Sequence, residues 1–386
     1  MGLQITRMNV EWVKIPDVLF FQEGPGVRNT QYTDSGVKLL NVANLVDGEI
    51  DLSTSDRFIS EEEAYGKYKH FLCDAGDFII ASSGIKVEYI DKKMGFIEES
   101  MLPLCMNTST IRFKVLDKSR LKIRFFMYYL KSRHFKEQLA HHITGSAQLN
   151  YGPSHLKKMM MPLFPIAEQE CIIRNLDKLQ SVIAKRKQQL EKLDQLVKAR
   201  FVEMFGDPQN NPYSWKKEII EQHIDLLSGY PFKSENYVDS GINICGGLII
   251  MPQRIEWEKC VHWPTTDGYE DYLLEDGDIV MALDRPWITE GFKIAIVEKK
   301  DLPALLIQRT ARIRAIDINP KYLYYCFLDG GFNNHTNITG SLVPHISAKD
   351  IRSYEIMIPP IELQEEFAAF VEQIDKSKAV VEKSYK

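Results

Sequence analysis

Four short segments of this chain occur twice, in the same order and about 200 residues apart. Tyr32-Thr-Asp-Ser-Gly36 returns as Tyr237-Val-Asp-Ser-Gly241 at an offset of 205, and Ala75-Gly-Asp-Phe-Ile-Ile-Ala81 as Asp276-Gly-Asp-Ile-Val-Met-Ala282 at 201. Ile143-Thr-Gly-Ser146 returns as Ile338-Thr-Gly-Ser341 at 195, and Gln169-Glu170 as Gln364-Glu365 at the same spacing. Chance can supply one such match, whereas four in order with a slowly drifting offset mean duplication. A period this long is a repeated domain, because solenoid units run to roughly 20–50 residues. The chain must therefore build the same architecture twice, giving a pseudo-two-fold molecule with two similar but non-identical faces.

Each copy runs from strands into helix. Asp77–Ala81 and Asp278–Ala282 are apolar runs after a Gly-Asp turn and read as buried strands. Ile111–Val115 alternates apolar and basic residues, and Ala311–Ala315 does so with Arg312 and Arg314. Both are expected to be strands with one face in the core and a basic face in water. Helical segments follow over Leu121–Leu139 and Pro320–Leu328, each ahead of a Thr-Gly-Ser loop. The expected unit is a compact α+β domain.

Between the copies lies a three-four apolar spacing: Ile172, Leu176, Leu179, Ile183, Arg186, Leu190, Leu193, Val197, Arg200, Met204. It spans over four heptads, bounded by Pro165 and by Gly206 and Pro208, and predicts a coiled-coil helix roughly 60 Å long. The two seam arginines require either a partner carboxylate or an opening to water. Phe367, Val371, Ile374, Lys378, Val381 and Tyr385 keep the spacing after Pro359-Pro360, so the second copy offers a shorter partner helix. The expected division is 1–165, a first globular domain; 166–206, the central helix; 207–358, a second globular domain; and 359–386, the distal helix. The two helices are expected to pack antiparallel as a spacer.

Composition narrows the function classes. Apolar residues at 44% and charged residues at 26% suit an ordinary globular chain, and no apolar run approaches the ~20 residues of a membrane span. Residues 1–13 lack a signal-peptide core, so a cytoplasmic location is expected. The six cysteines form no C-x-x-C pair, which argues against structural zinc or a disulfide framework. Net charge is −5, but residues 207–386 alone hold 19 Lys/Arg against 28 Asp/Glu. Nucleic-acid binding therefore needs local basic faces rather than a whole-molecule field.

The whole chain resembles the specificity (S) subunit of type I restriction–modification enzymes, HsdS. The resemblance rests on Thr144-Gly-Ser-Ala-Gln148, Leu156, Pro162–Pro165 and Ala167-Glu-Gln-Glu170 leading into the long helix. Its second passage is Thr339-Gly-Ser341, Ile351, Pro359-Pro360 and Leu363-Gln-Glu365 leading into the shorter one. The resemblance implies two target recognition domains, each reading one half of a split, asymmetric site on double-stranded DNA. It implies helices that set the gap and dock two methyltransferase (M) subunits carrying S-adenosylmethionine. Restriction (R) subunits using ATP and magnesium complete the assembly, and this chain carries no cofactor, no metal and no catalytic residue of its own. The short second helix departs from the pattern and puts one docking surface in question.

Candidate DNA contacts are the loops that recur. Ser82, Ser83, Gly84 and Lys86 follow the first Gly-Asp strand; Asp284, Arg285 and Trp287 occupy the same place in the second copy. Hydroxyls and lysine suit phosphates, arginine forks onto guanine, and a carboxylate accepts from cytosine. Thr144, Gly145, Ser146 and Gln148, with Thr339, Gly340, Ser341 and His345, form the second pair of loops. All of these also suit plain turns. Two rivals remain open: a coiled-coil adaptor for protein partners, favoured by the acidic second half, and a metal-dependent nuclease using Asp278 with Glu298-Lys-Lys300. No phosphate-binding G-x-x-x-x-G-K-[ST] loop is present, and Asn210-Asn-Pro-Tyr213, lacking the first proline of N-P-P-Y, reads as a turn.

Overall fold

The computed structural model describes residues 10–84, 86–143, 151–336 and 344–383. They fall into two compact units, Met1–Val182 and Ile183–Lys386. In the first, an antiparallel sheet runs in the order Leu19–Glu23, Thr110–Val115, Phe78–Ala81, Met94–Phe96. A smaller sheet sets Val37–Leu40 between antiparallel Phe58–Ile59 and parallel Leu104–Met106. Glu11–Lys14 pairs with Met160–Leu163 and closes the unit on itself.

The second unit repeats this strand for strand. Its four-stranded sheet runs Ile224–Ser228, Thr310–Ala315, Ile279–Ala282, Ile294–Ile296. Ile242–Cys245 lies between Val261–Trp263 and parallel Ala304–Leu306, and Lys217–Ile219 pairs with Glu355–Met357. The duplication read from four short segments thus extends through the strand order of the main sheets.

The Gly-Asp turns explain why the repeat is legible. Gly76 and Gly277 sit at φ +85° and +90°, where a side chain is strained. The next carboxylate, Asp77 or Asp278, accepts from the backbone N–H of Asp74 (2.9 Å) or Glu275 (2.6 Å) and fixes the turn. Both aspartates are almost fully buried and need cations. Asp77 pairs with Arg112 and Lys114, each at 3.3 Å, and Asp278 with Arg314 at 2.7 Å.

This corrects the expected basic strand face. Arg112 and Arg312 are each 5% exposed. Arg112 donates to the Leu72 and His70 carbonyls and to Gln22, while Arg312 bonds Asp225. The alternation was real, but its charges are spent inside each unit: Arg112 and Lys114 on buried Asp77, Arg314 on buried Asp278, and Arg312 on the more exposed Asp225.

Aromatic rings fill both cores: Phe78, Phe113, Phe126 and Phe135 in the first, Phe201, Phe205, Tyr322, Phe332 and Phe367 in the second. The expected helix over Leu121–Leu139 is two, Ile123–Lys131 and Arg133–His142, because Ser132 breaks the run and caps the second through Phe135 N–H (3.3 Å). Pro320–Leu328 forms as expected, capped by Asn319.

The central helix spans Ile166–Phe205, 40 residues, and the distal helix Ile361–Lys383, 23 residues. Each starts on the same latch. Gln169 accepts from Lys122 N–H (2.9 Å) and donates to the carbonyls of Arg120 (2.8 Å) and Phe164 (2.7 Å). Gln364 accepts from Asn319 N–H (2.9 Å) and donates to the Pro359 carbonyl (2.8 Å).

Within the second unit the two helices pack antiparallel. Arg200 meets Glu366 at 2.9 Å, and Asp194 meets Lys378 at 2.5 Å, so one chain ascends as the other descends. Arg200 thereby finds the carboxylate its seam position demanded, whereas Arg186, among the described residues, bonds only Gln189 three residues on. Val197, Phe201 and Phe205 pack on Phe367, Val371 and Ile374, with Phe205–Phe367 ring centres 5.5 Å apart. The buried centre of the contact is therefore 197, 201 and 205, with Met204 half-buried against it and Arg200 at its edge.

The upper seam is used differently from the heptad expectation. Ile172 packs on the core of its own unit. Leu176 and Leu190 are half-buried, Leu193 packs on the second core, and Val381 is half-buried. Leu179 and Ile183 are 58% and 42% exposed. The observed helix pairing involves Asp194–Phe205, and a three-four pattern alone does not say which stretch finds a partner. Among the described residues no helix is long and apolar enough to cross a membrane.

Candidate nucleic-acid interface

In each unit three loops meet at the end of the buried Gly-Asp strand. After Phe78–Ala81, Ser82 N–H donates to the carbonyl of Ser109 (2.8 Å), and its own carbonyl accepts from Tyr151 N–H (3.0 Å). After Ile279–Ala282, Leu283 N–H donates to the Arg309 carbonyl (3.0 Å), and its carbonyl accepts from Ile346 N–H (2.8 Å). The strands Phe78–Ala81 with Thr110–Val115, and Ile279–Ala282 with Thr310–Ala315, are core, and Tyr151 and Ile346 are buried beside them, so the loops are held at fixed positions while Lys86, Arg285 and Arg309 are exposed.

The backbone at two of these positions is left-handed in both copies. Gly84 and Arg285 lie at φ +76° and +46°, and Ser109 and Arg309 at φ +67° and +65°. Non-glycine residues pay for this conformation, and such strain concentrates where a side chain must be aimed. Arg309 is the residue that sequence reasoning missed. Aligning Thr108-Ser109-Thr110 on Gln308-Arg309-Thr310 at the 200 offset exposes it as a position where the copies differ in charge.

The two platforms carry unlike chemistry. In the first, Ser82 is buried and its Oγ donates to Glu23 (3.2 Å), so it braces the loop; Ser83 is half-buried, and Gly84 and Lys86 are exposed. In the second, Asp284 accepts from His345 Nδ1 (2.6 Å), and its other oxygen lies 3.4 Å from Arg309 Nε. Arg285 is exposed, and its N–H donates to the Pro344 carbonyl (2.9 Å). Trp287 is placed otherwise than expected: it stacks on Phe292 at 4.8 Å and packs on the core, in a short hairpin that replaces the 3-10 helix of the first unit. Thr144, Gly145, Ser146, Gln148, Thr339, Gly340 and Ser341 lie outside the described residues.

Asp284, Arg285, Gln308 and Arg309 line a cavity of about 790 Å³ with Lys259 and Lys293. Four cations line it against two carboxylates, Asp284 beside Arg309 and Glu256 on Lys259, which leaves a basic cleft within the acidic half of the chain. Lys293 is 8% exposed, donates to the Gly247 carbonyl, and has its pKa pushed down by burial. Its remaining donors have no partner among the described residues. A ligand rich in acceptors, such as a phosphate or a purine edge, satisfies such a cleft.

The residues proposed for metal chemistry are otherwise employed. Asp278 is taken by Arg314 and the Glu275 N–H, and Glu298 pairs with Lys300 at 2.5 Å. Asn210–Tyr213 forms a turn, with Asn210 Nδ2 donating to Asp207 (2.8 Å) and Tyr213 OH to the Glu203 carbonyl (3.2 Å).

The sequence profile of the type I restriction modification DNA specificity domain matches residues 9–195 and 230–385. The chain is 32% identical over 202 residues to the EcoAI specificity subunit of Escherichia coli, covering 50% of this chain and 34% of that protein. It is 24% identical over 306 residues to the MjaVIII specificity subunit of Methanocaldococcus jannaschii, covering 72% and 71%. The fold is similar to the crystal structure of a type I restriction–modification S subunit from M. genitalium: TM-score 0.55, 16% identity, 99% of this chain and 94% of that one.

Proposed function

Because the chain belongs to the type I restriction modification DNA specificity family, we propose that it is the non-catalytic subunit that chooses the DNA sequence for a type I restriction–modification enzyme. Residues 1–165 and 207–358 each read one half of a split site on double-stranded DNA. The helices at 166–206 and 359–386 set the gap and dock two methyltransferase subunits, which supply S-adenosylmethionine. Restriction subunits supply ATP- and magnesium-dependent cleavage, and the complex works in the cytoplasm. The observation that carries this reading is the repeated three-loop platform with different side chains at matching positions. Loops anchored by matching backbone hydrogen bonds and bearing Ser83, Gly84 and Ser109 in one copy and Asp284, Arg285 and Arg309 in the other are what two unlike half-sites require.

The test is a methylome. The chain is expressed with its methyltransferase partner in a methylation-free host, and N6-methyladenine is mapped by long-read sequencing. A single split motif that disappears when this chain is omitted is the expected result. An assembled complex that leaves no sequence-specific methylation refutes the reading.

A further inference from the structure

Resting on that reading, we infer that Arg309 is the guanine-reading residue of the second recognition domain, held in aim by Asp284 and His345. Three observations converge on it. The backbone at Arg309 is left-handed, at φ +65°, which turns the side chain out of the strand that begins at Thr310. Its Nε lies against Asp284 Oδ2 at 3.4 Å, while the other Asp284 oxygen is held by His345 Nδ1 at 2.6 Å. The side chain is nonetheless 74% exposed, and its two terminal amino groups have no partner among the described residues.

A guanidinium drawn toward a carboxylate through Nε, as an ion pair at 3.4 Å, and open at Nη1 and Nη2 is a fork biased in direction with its terminal donors unused. Most surface arginines are one or the other: solvated and free, or paired and spent. Guanine presents two acceptors, O6 and N7, on one edge of the major groove, and this is the pairing such a fork fits. A phosphate accepts from arginine too, but needs no aim, and the adjoining exposed Arg285 of the same cleft suffices for it. In the first unit the equivalent position is Ser109, which cannot make the forked contact, so the assignment applies to one half-site only.

The experiment uses the full chain assembled with its methyltransferase subunits and a randomised duplex library. The half-site belonging to residues 207–358 is identified by exchanging that segment. R309A is expected to lower discrimination for guanine at one position of that half by about 5- to 150-fold, leaving the other half intact. R309K, which keeps the charge without the fork, loses the same preference. In the wild-type complex 7-deazaguanine at that position, which lacks N7, reproduces part of the loss, and it adds nothing in R309A. H345A weakens the same preference to a lesser degree. The inference is overturned if R309A weakens binding to all sequences alike and reduces the salt slope by about one, the mark of a phosphate contact. It is likewise overturned if every base preference survives. A wild-type complex with no sequence preference refutes the proposed function itself, and is recognised before any variant is made.

Discussion

Replacing Gln169 with leucine changes side-chain volume little but deletes the three hydrogen bonds that fasten the start of the central helix to the first unit. Each neutral bond contributes about 1 kcal/mol net, so the loss is about 3 kcal/mol. Gln364→Leu deletes two such bonds from the distal helix and costs about 2 kcal/mol. In units of this size about 1 kcal/mol moves the midpoint by ~2–4 °C, so Gln169→Leu should lower a calorimetric transition by roughly 6–12 °C. Hydrogen exchange localises the effect, because the Lys122 amide loses its acceptor and should exchange faster. Gln169→Glu should be worse than leucine, since it keeps one acceptor but adds an unpaired charge at a site with no exposure. The reasoning fails if both leucine variants lie within about 1 kcal/mol of wild type, or if Lys122 keeps its protection.

Phe205→Ala empties the centre of the ring cluster with Phe201, Tyr322 and Phe367 and should cost about 3–5 kcal/mol in urea unfolding. Asp329 has its carboxyl pKa raised to about 6, chiefly by burial. The folded state thus holds that proton more tightly than the unfolded one, and stability falls as pH rises from about 4 through 6. Asp329→Asn should stabilise the protein by roughly 3 kcal/mol at pH 8 and by almost nothing at pH 3, read from unfolding curves at both values. Exchange of residues 1–165 for another recognition domain should change one half of the methylated motif; a change in both halves defeats the modular reading. One heptad inserted between Ile183 and Leu190, where most side chains are exposed, should widen the gap between half-sites in the same methylome assay, and an unchanged gap removes the spacer role.

Much of the architecture was legible because it was written twice. The Gly-Asp turns, the Gln latches and the helix limits at Pro165 and Gly206 each rest on a residue whose local chemistry leaves little choice, so spacing alone located them. The arginines at 112 and 312 misled, since alternation reports which residues share a face and not whether that face is covered. Covering required Asp77, Asp278 and Asp225, which are far away in sequence. The seam at Leu179 and Ile183 misled for a related reason, because a heptad records capacity for pairing, not the extent of the partner. Arg309 escaped notice because its importance comes from Asp284 and His345, 25 and 36 residues distant, and from a backbone angle no pattern announces.

The burial of Arg112 and Arg312 has a consequence for how such a protein changes over evolutionary time. Asp77, Arg112, Asp278 and Arg312, which tie each sheet together, are sealed inside it, while the charges and hydroxyls at 83, 86, 109, 284–285 and 309 sit on loops whose backbone is fixed by the strands beneath. Mutations at the loop tips alter chemistry without touching a core contact, so new side chains can be tried at little risk to folding. Two copies of one scaffold have drifted apart in this way at their tips while keeping the same strand order. A lineage built like this can acquire a new target by point substitution or by exchange of one unit, with the rest of its assembly unaltered.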